Sequence, residues 1–422
     1  MSDERVYARY WIESAFAPEQ AAEVMAGEQS TGTFIKVPGE TDELRERNAA
    51  RVERIIERES VDSPSLPGAA KPKSSPGVYR RAEVTLSWPI SNMGPSLPNL
   101  VATVAGNLFE LKPFSGLKLL DVTFSRAFHD RYQGPQFGVP GTRRFCGVPD
   151  GPLIGTIIKP SVGLTPEATA ATVDALVEGG IDFIKDDELQ ADGPHCPFRD
   201  RLREVMKVIH RHSDKTGRKA MYAFNITGEI DEMRTRLDEV VAAGGTCAMV
   251  SMNSIGLPAL VALRRQSQVA IHGHRNGWGM YDRSPAIGMS YIAYQKFWRL
   301  AGVDHMHVNG LDNKFCESDE SVIASAKECL RPMFPAPLRG CEIMPVFSSG
   351  QTARQVPGTY AALGSTDLIF ACGGGIMGHP DGIGAGVRSL RQAWAAAVEG
   401  IPLPEYAKEH PELDVALRKF AA

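Results

Sequence analysis

The chain has 422 residues, 43% of them apolar and 23% charged, and a formal net charge of −4. That length fits two domains, or a barrel with an appendage, and the weak negative charge offers no basic field to nucleic acid or an anionic membrane. No apolar run approaches the about 20 residues that span a bilayer, the first residues are charged rather than signal-like, and the seven cysteines form no CxxC pair, so the expectation is a cytoplasmic protein with reduced thiols.

Residues 5–14 alternate like a strand, 17–26 read as a helix and 30–37 as a strand. A charged helix is expected over 41–59, followed by a loop rich in Pro, Ser and Gly up to residue 77. Strand patterns cover 78–90 and 118–128, with a helix at 97–105. The simplest architecture for this part is a small antiparallel α+β domain. From residue 151 short apolar runs alternate with amphipathic stretches. Strands begin near 152, 182, 219, 247, 268, 304, 342 and 367. Helical patterns lie near 165–178, 199–212, 229–243, 257–265, 284–300, 317–330, 352–362 and 384–398. Eight such units imply parallel strands, right-handed crossovers and a (β/α)8 barrel. A doubly wound open sheet is the competing fold, but no GxGxxG follows the first strand.

Barrel chemistry sits at the C-terminal ends of the strands. Those ends carry Lys159; Lys185, Asp187 and Glu188; Asn225; His272, His274 and Arg275; His305 and His307, with Lys314 beyond; Ser348, Ser349 and Gly350; and Gly373, Gly374 and Gly375. Any one of them reads simply as a helix cap or a satisfied buried polar group; nearly every strand ending in one does not. The second strand is the sharpest signal. Asp182, Lys185, Asp187 and Glu188 fall within seven residues, and two adjacent carboxylates suit a hard cation such as Mg2+. An ammonium cannot be a ligand, but a lysine turned into a carbamate by CO2 supplies an anionic oxygen. A salt-bridge network at the barrel mouth is the alternative. The two HxH pairs put both histidines of each on one strand face, compatible with zinc or with proton transfer and phosphate contact; His272 and His305, further from the strand ends, read as core. The glycine run at 373–375 suits a phosphate-cradling loop after the last strand, while Arg275 and Lys314 add positive charge for a second anionic group.

GTIIKP (155–160), GGIDFIKDDE (179–188), IHGHR (271–275), DHMH (304–307) and CGGGIMGHP (372–380), with STGTF (30–34) and AGN (105–107), resemble the ribulose-bisphosphate carboxylase (RuBisCO) large-subunit superfamily over nearly the whole chain. The resemblance implies a ferredoxin-like α+β domain over 1–140 and a TIM barrel over 141–422. It also implies homodimers or assemblies of dimers, whose sites combine one barrel with the partner's N-terminal domain. By that likeness Lys185 is the lysine carbamylated by CO2, and Asp187 and Glu188 are its companion Mg2+ ligands. Lys159 is the lysine that supports proton abstraction, and His274 is an active-site histidine. Arg275 and His307 contact one substrate phosphate, and Lys314 is the mobile-loop lysine. Ser348, Gly350, Gly373 and Gly374 bind substrate and phosphate. Glu28, Thr33 and Asn107 are donated by the partner subunit.

Four departures point away from carboxylation. Carboxylases of the family carry KPK where this chain has KPS, with Ser161. Their lid lysine is followed by Leu-Glu, whereas Lys314 here sits in NGLDNKFCES. Ser348-Ser349-Gly350 replaces Ser-Gly-Gly, and Phe34 replaces a tryptophan. The chain therefore resembles a form IV, RuBisCO-like protein that keeps enolisation chemistry on a phosphorylated ketose or oxo-sugar acid, ending in isomerisation or in loss of CO2. A catalytically silent binding protein and a working carboxylase are the alternatives. Arg275 leans the substrate toward negative charge at both ends.

Overall fold

The computed structural model describes residues 4–32, 37–73 and 77–421. Among these residues there are thirteen strands: β1 (Arg5–Ser14), β2 (Arg51–Val61), β3 (Tyr79–Pro89), β4 (Phe114–Thr123), β5 (Leu153–Ile157), β6 (Phe183–Lys185), β7 (Met221–Asn225), β8 (Cys247–Ser251), β9 (Ala270–His274), β10 (Ile287–Met289), β11 (His305–His307), β12 (Met344–Phe347) and β13 (Ile369–Ala371). The chain divides into two compact units. One comprises Met1–Gln133, Gly277–Leu300 and Met333–Gly340; the other comprises Gly134–Asn276, Ala301–Pro332 and Cys341–Ala422. No described helix is long and apolar enough to cross a membrane.

The first unit is a ferredoxin-like α+β unit built on a sheet of order β10-β4-β1-β3-β2. Period-two alternation buries Val6, Ala8, Tyr10 and Ile12 of β1 with Ala82, Val84, Leu86 and Trp88 of β3. The helix Pro18–Glu28 adds Ala21, Ala22 and Met25, and the helix Leu97–Ala105 adds Leu97, Leu100 and Val104. Two expectations change here. The helix over 41–59 is only Asp42–Asn48, capped by the Thr41 side chain, and 51–61 is the edge strand β2. Its Arg and Glu residues are good helix formers, but ladder bonds to β3 and the 2.6 Å pair of Arg58 with Glu83 hold it extended. Those charges also protect an edge from further pairing. The strand read at 118–128 begins earlier, at Phe114, and gives way to a short helix at Arg126–Arg131. Of the strand read at 30–37, residues 33–36 lie outside the described residues, and 30 and 31 form a turn.

The second unit is a closed parallel barrel of order β11-β12-β13-β5-β6-β7-β8-β9, with all eight expected strands in place. One parity on every strand faces inward. Leu153, Phe183, Met221, Cys247, Ala270, Met344 and Ile369 belong to one buried apolar cluster, joined by Cys146 of the helix Gly138–Cys146. Two or four residues further along three of these strands the column becomes polar, at Lys185, Asn225, His272 and His274, and β11 is polar at both His305 and His307. Gly155 is required where it stands, because a Cβ there would lie 3.0 Å from Ile369 and 3.2 Å from Phe183. The helix pattern near 284–300 resolves into β10, which joins the first unit's sheet beside β4, and the helix Tyr291–Ala301.

Candidate active site

Lys185 ends β6 with its side chain fully buried. Its Nζ donates to the Asp186 carbonyl oxygen at 2.8 Å and lies 3.6 Å from Glu188 Oε2. Burial pushes its pKa below the ordinary lysine value, a shift that the Glu188, Asp187 and Asp186 charges oppose and Lys159 reinforces. Lys159, two residues beyond β5, donates to Asp187 Oδ2 at 2.6 Å and to Ser161 Oγ at 2.9 Å. His274 Nδ1 lies 3.2 Å from the Asn276 backbone N and 3.3 Å from Asn276 Oδ1, and its Nε2 lies 3.4 Å from Glu188 Oε2. Burial raises the Glu188 carboxyl, but the positive charges of His274 and Lys185 outweigh it and hold the pKa to about 2. Burial and Lys185 lower His274 to about 4. At neutral pH this is an ionised carboxylate facing a neutral imidazole.

Five of the expected residues, Lys159, Lys185, Asp187, Glu188 and His274, are thus linked by direct contacts. His307 stacks edge-on to His274, with centroids 4.6 Å apart, and its Nδ1 is 2.8 Å from Ser348 Oγ. Gly350 adopts φ +89°, and Lys314 above it donates its backbone N–H to the Ser349 carbonyl oxygen at 3.3 Å. The Lys314 ammonium lies over the Phe315 ring, 5.2 Å from its centroid. Gly373 and Gly374 open the short helix Gly374–Met377, and a Cβ at Gly373 would stand 3.8 Å from Lys159 Cε. Arg275 Nη2 lies 2.5 Å from Glu317 Oε2. Glu28 and Asn107 are exposed in the first unit. Their chain neighbours approach each other: Gln29 Nε2 would be 3.4 Å from a Cβ on Gly106. Thr33 and Phe34 lie outside the described residues.

Three features were not legible beforehand. Asp182 does not join the cluster. It sits just before β6, at the other end of the strand, accepting the Ile154 N–H and pairing with Arg218 and Arg391. Asp186, between two expected ligands, is buried and accepts from Arg201, Tyr222 and the Asn225 N–H. Glu317 reads in the sequence as one acid among several at a helix start. His272 and His305 are core residues, as expected. His305 Nε2 is 2.7 Å from Thr142 Oγ1, and neither ring nitrogen of His272 has a hydrogen-bond partner among the described residues.

As to metal, among the described residues no three His, Cys, Asp or Glu side chains converge as a cation site. Asp187 and Glu188 supply two hard oxygen donors; a third would have to come from Lys185. Burial lowers its pKa and so eases loss of the proton that reaction with CO2 requires, and the donor set fits Mg2+ held with a carbamate.

Comparison with known proteins agrees with this geometry. Residues 2–128 match the model for the N-terminal domain of the ribulose bisphosphate carboxylase large chain, and 138–420 that for its catalytic domain. The chain is 56% identical to a 3-oxo-isoapionate-4-phosphate transcarboxylase/hydrolase of Xanthobacter autotrophicus, over 98% of this chain and 99% of that one. It is 44% identical to a 3-oxo-isoapionate-4-phosphate decarboxylase of Rhizobium etli, over 98% of each. The crystal structure of a rubisco-like protein from Burkholderia fungorum superposes with a TM-score of 0.92 at 47% identity, covering 99% of this chain and all of that one. Two family models that together span nearly the whole chain, and relatives of this identity and coverage, show that this chain belongs to the RuBisCO large-chain family.

Proposed function

We propose that the protein is a RuBisCO-like enzyme that removes or transfers the carboxyl group of a phosphorylated 3-oxo sugar acid, of the 3-oxo-isoapionate-4-phosphate type, and does not fix CO2. The observation that carries the reading is the cluster of buried Lys185 with Asp187, Glu188, Lys159 and His274, in a chain of this similarity to two enzymes so named. Ser161, which accepts from Lys159 at the position of the carboxylases' second lysine, supports the loss of CO2 fixation. Of the two outcomes, the higher identity favours carboxyl transfer with hydrolysis over simple decarboxylation.

Loss of the carboxyl group as CO2 from a 3-oxo acid leaves an enolate, an enediolate where the carbon that held the carboxyl bears a hydroxyl, and its charge gathers on the oxygen of the former ketone. Mg2+, held by Asp187, Glu188 and carbamylated Lys185, supplies Lewis-acid stabilisation of that charge when bound. Lys159, fixed by Asp187 and Ser161, brings an ammonium to the same place and a proton for carbon. His274 stands beside Glu188, its Nε2 3.4 Å from Oε2, and, being neutral, offers the substrate a hydrogen-bonding group without net charge. Backbone N–H groups at Gly373 and Gly374 bind the phosphate, with Ser348, Gly350 and His307 on the neighbouring strand ends. Lys314 stands at the mouth of the site, beside Gly350. The working form is a cytoplasmic homodimer or an assembly of dimers, in which Glu28, Thr33 and Asn107 serve the partner's site.

The test is turnover of 3-oxo-isoapionate 4-phosphate by the protein activated with Mg2+ and bicarbonate, with phosphorylated products identified by 31P NMR. Carboxylation of ribulose 1,5-bisphosphate without turnover of the oxo acid would overturn the reading.

A further inference from the structure

At the end of β9 the Arg275 guanidinium meets the Glu317 carboxylate at 2.5 Å, with both side chains more than nine-tenths buried. Glu317 also accepts from Asn309 Nδ2 at 2.7 Å and from Ser321 Oγ at 3.0 Å. Asn309 in turn accepts from Ser349 Oγ at 2.8 Å, which ties the pair to the end of β12. The loop that carries Glu317 also carries Lys314. It is cross-tied by Asn313, whose side-chain amide donates to the Gly310 and Glu317 carbonyl oxygens. The carboxylate that faces Arg275 is therefore a built part of the barrel mouth.

We propose that Glu317 is a specificity-determining residue, an internal anion that occupies the guanidinium where a second substrate phosphate would bind, so that a second phosphate brings the substrate no gain in affinity. The proposal rests on the reading above that this barrel mouth binds substrate. A phosphate carries about −1.5 to −2 charges at neutral pH. To reach Arg275 it must displace Glu317 from three donors or lie beside it as a like charge in a dry pocket, and both oppose binding. The carboxyl group that reacts then lies over the Lys159–Lys185 cluster, and the substrate end nearest Arg275 is uncharged, for example a hydroxymethyl group that Asn309 and Ser349 can meet. This agrees with the single phosphate in the names of the two similar enzymes.

Binding of ribulose 5-phosphate and of ribulose 1,5-bisphosphate to the full-length protein, with Mg2+ and bicarbonate, is measured by calorimetry. The wild type should bind the two within a few-fold of each other. Glu317→Gln keeps the shape and removes the charge. It should gain about tenfold or more for the bisphosphate over the monophosphate, the worth of a charge-assisted contact, and the double variant Glu317→Gln/Arg275→Gln should lose that gain. Glu317→Ser repeats the test if the glutamine variant fails to fold by circular dichroism. The idea fails if the wild type already prefers the bisphosphate tenfold, if neither neutral variant gains preference, if the gain survives loss of Arg275, or if neither neutral variant binds the bisphosphate measurably. None of these readouts requires turnover, so a failure of the oxo-acid assay alone bears on the proposed reaction and not on Glu317.

Discussion

Asp186→Ala separates the scaffold beneath the site from the site itself. The Asp186 and Arg201 side chains are 1% and 0% exposed, and Arg201 Nε lies 3.2 Å from the carboxylate. The same carboxylate accepts from Tyr222 Oη at 2.5 Å and from the Asn225 N–H at 2.8 Å. Alanine leaves Arg201 with the carbonyl oxygens of Cys196 and Ala191, at 3.0 and 2.6 Å, but without a counter-charge. An uncompensated buried charge costs about 3–5 kcal/mol. Because the two carbonyls remain as acceptors, we expect the lower part of that range, with a smaller loss for Asp186→Asn, which keeps the volume and one acceptor. Urea unfolding followed by far-ultraviolet circular dichroism reads the loss. Lys185 and Asp187 flank the position, so kcat should fall as well, even where the variant is fully folded. A loss under about 1 kcal/mol in Asp186→Ala would show that Arg201 does not depend on this carboxylate and refute the reasoning.

Other expectations follow from the same geometry. Lys185→Met should abolish turnover and tight Mg2+ binding by calorimetry while leaving circular dichroism unchanged; measurable turnover would remove Lys185 from the mechanism. Chelation with EDTA in CO2-free buffer should abolish activity, and recovery should need Mg2+ and bicarbonate together, as steady-state rates would read. On pH, burial first, and then neighbouring positive charge, holds His272 and His307 well below the usual imidazole range, and burial lowers His305 to about 3. Below about pH 6.5 the unfolded chain therefore binds protons that the folded chain refuses. Stability should rise with pH in that window and be lost on acidification, by up to about 1.4 kcal/mol per pH unit for each imidazole. Urea midpoints that stay level from pH 6.5 to 5 would contradict this. Light scattering should give a dimer or a multiple of it at micromolar concentration, and Asn107→Ala should lower kcat without changing that mass.

Legibility in the sequence followed the physics of each element. The barrel strands are short apolar runs with both faces buried, separated by amphipathic helices, and each appeared where its pattern began. The chemistry of β6 was visible because Lys185 and Asp187 interrupt such a run. Strand β2 was hidden because its charges favour helix locally, and only pairing with β3, about 25 residues later in the chain, makes it a strand. Strand β10 is three residues long and takes its identity from β4. Proximity in sequence misassigned Asp182, since three residues of strand carry it about 10 Å from Lys185. Glu317 and Asp186 needed a partner's position, Arg275 in one case and Arg201 in the other, and no spacing rule supplies that.

The shared parity of the barrel strands bears on how such a site can change. Each polar side chain at the top of β6, β7, β9 and β11 stands in a column whose lower members are buried residues, with Phe183 beneath Lys185 and Ala270 and His272 beneath His274. Inserting or deleting one strand residue would exchange every inward and outward side chain above it, losing core and ligands together. Substitutions just past the strand ends carry no such penalty. Ser161, Ser349 and the segment from Asn313 to Glu317 all lie there. Residues in the loops are thus free to drift while Lys185 stays locked to the folding of the barrel.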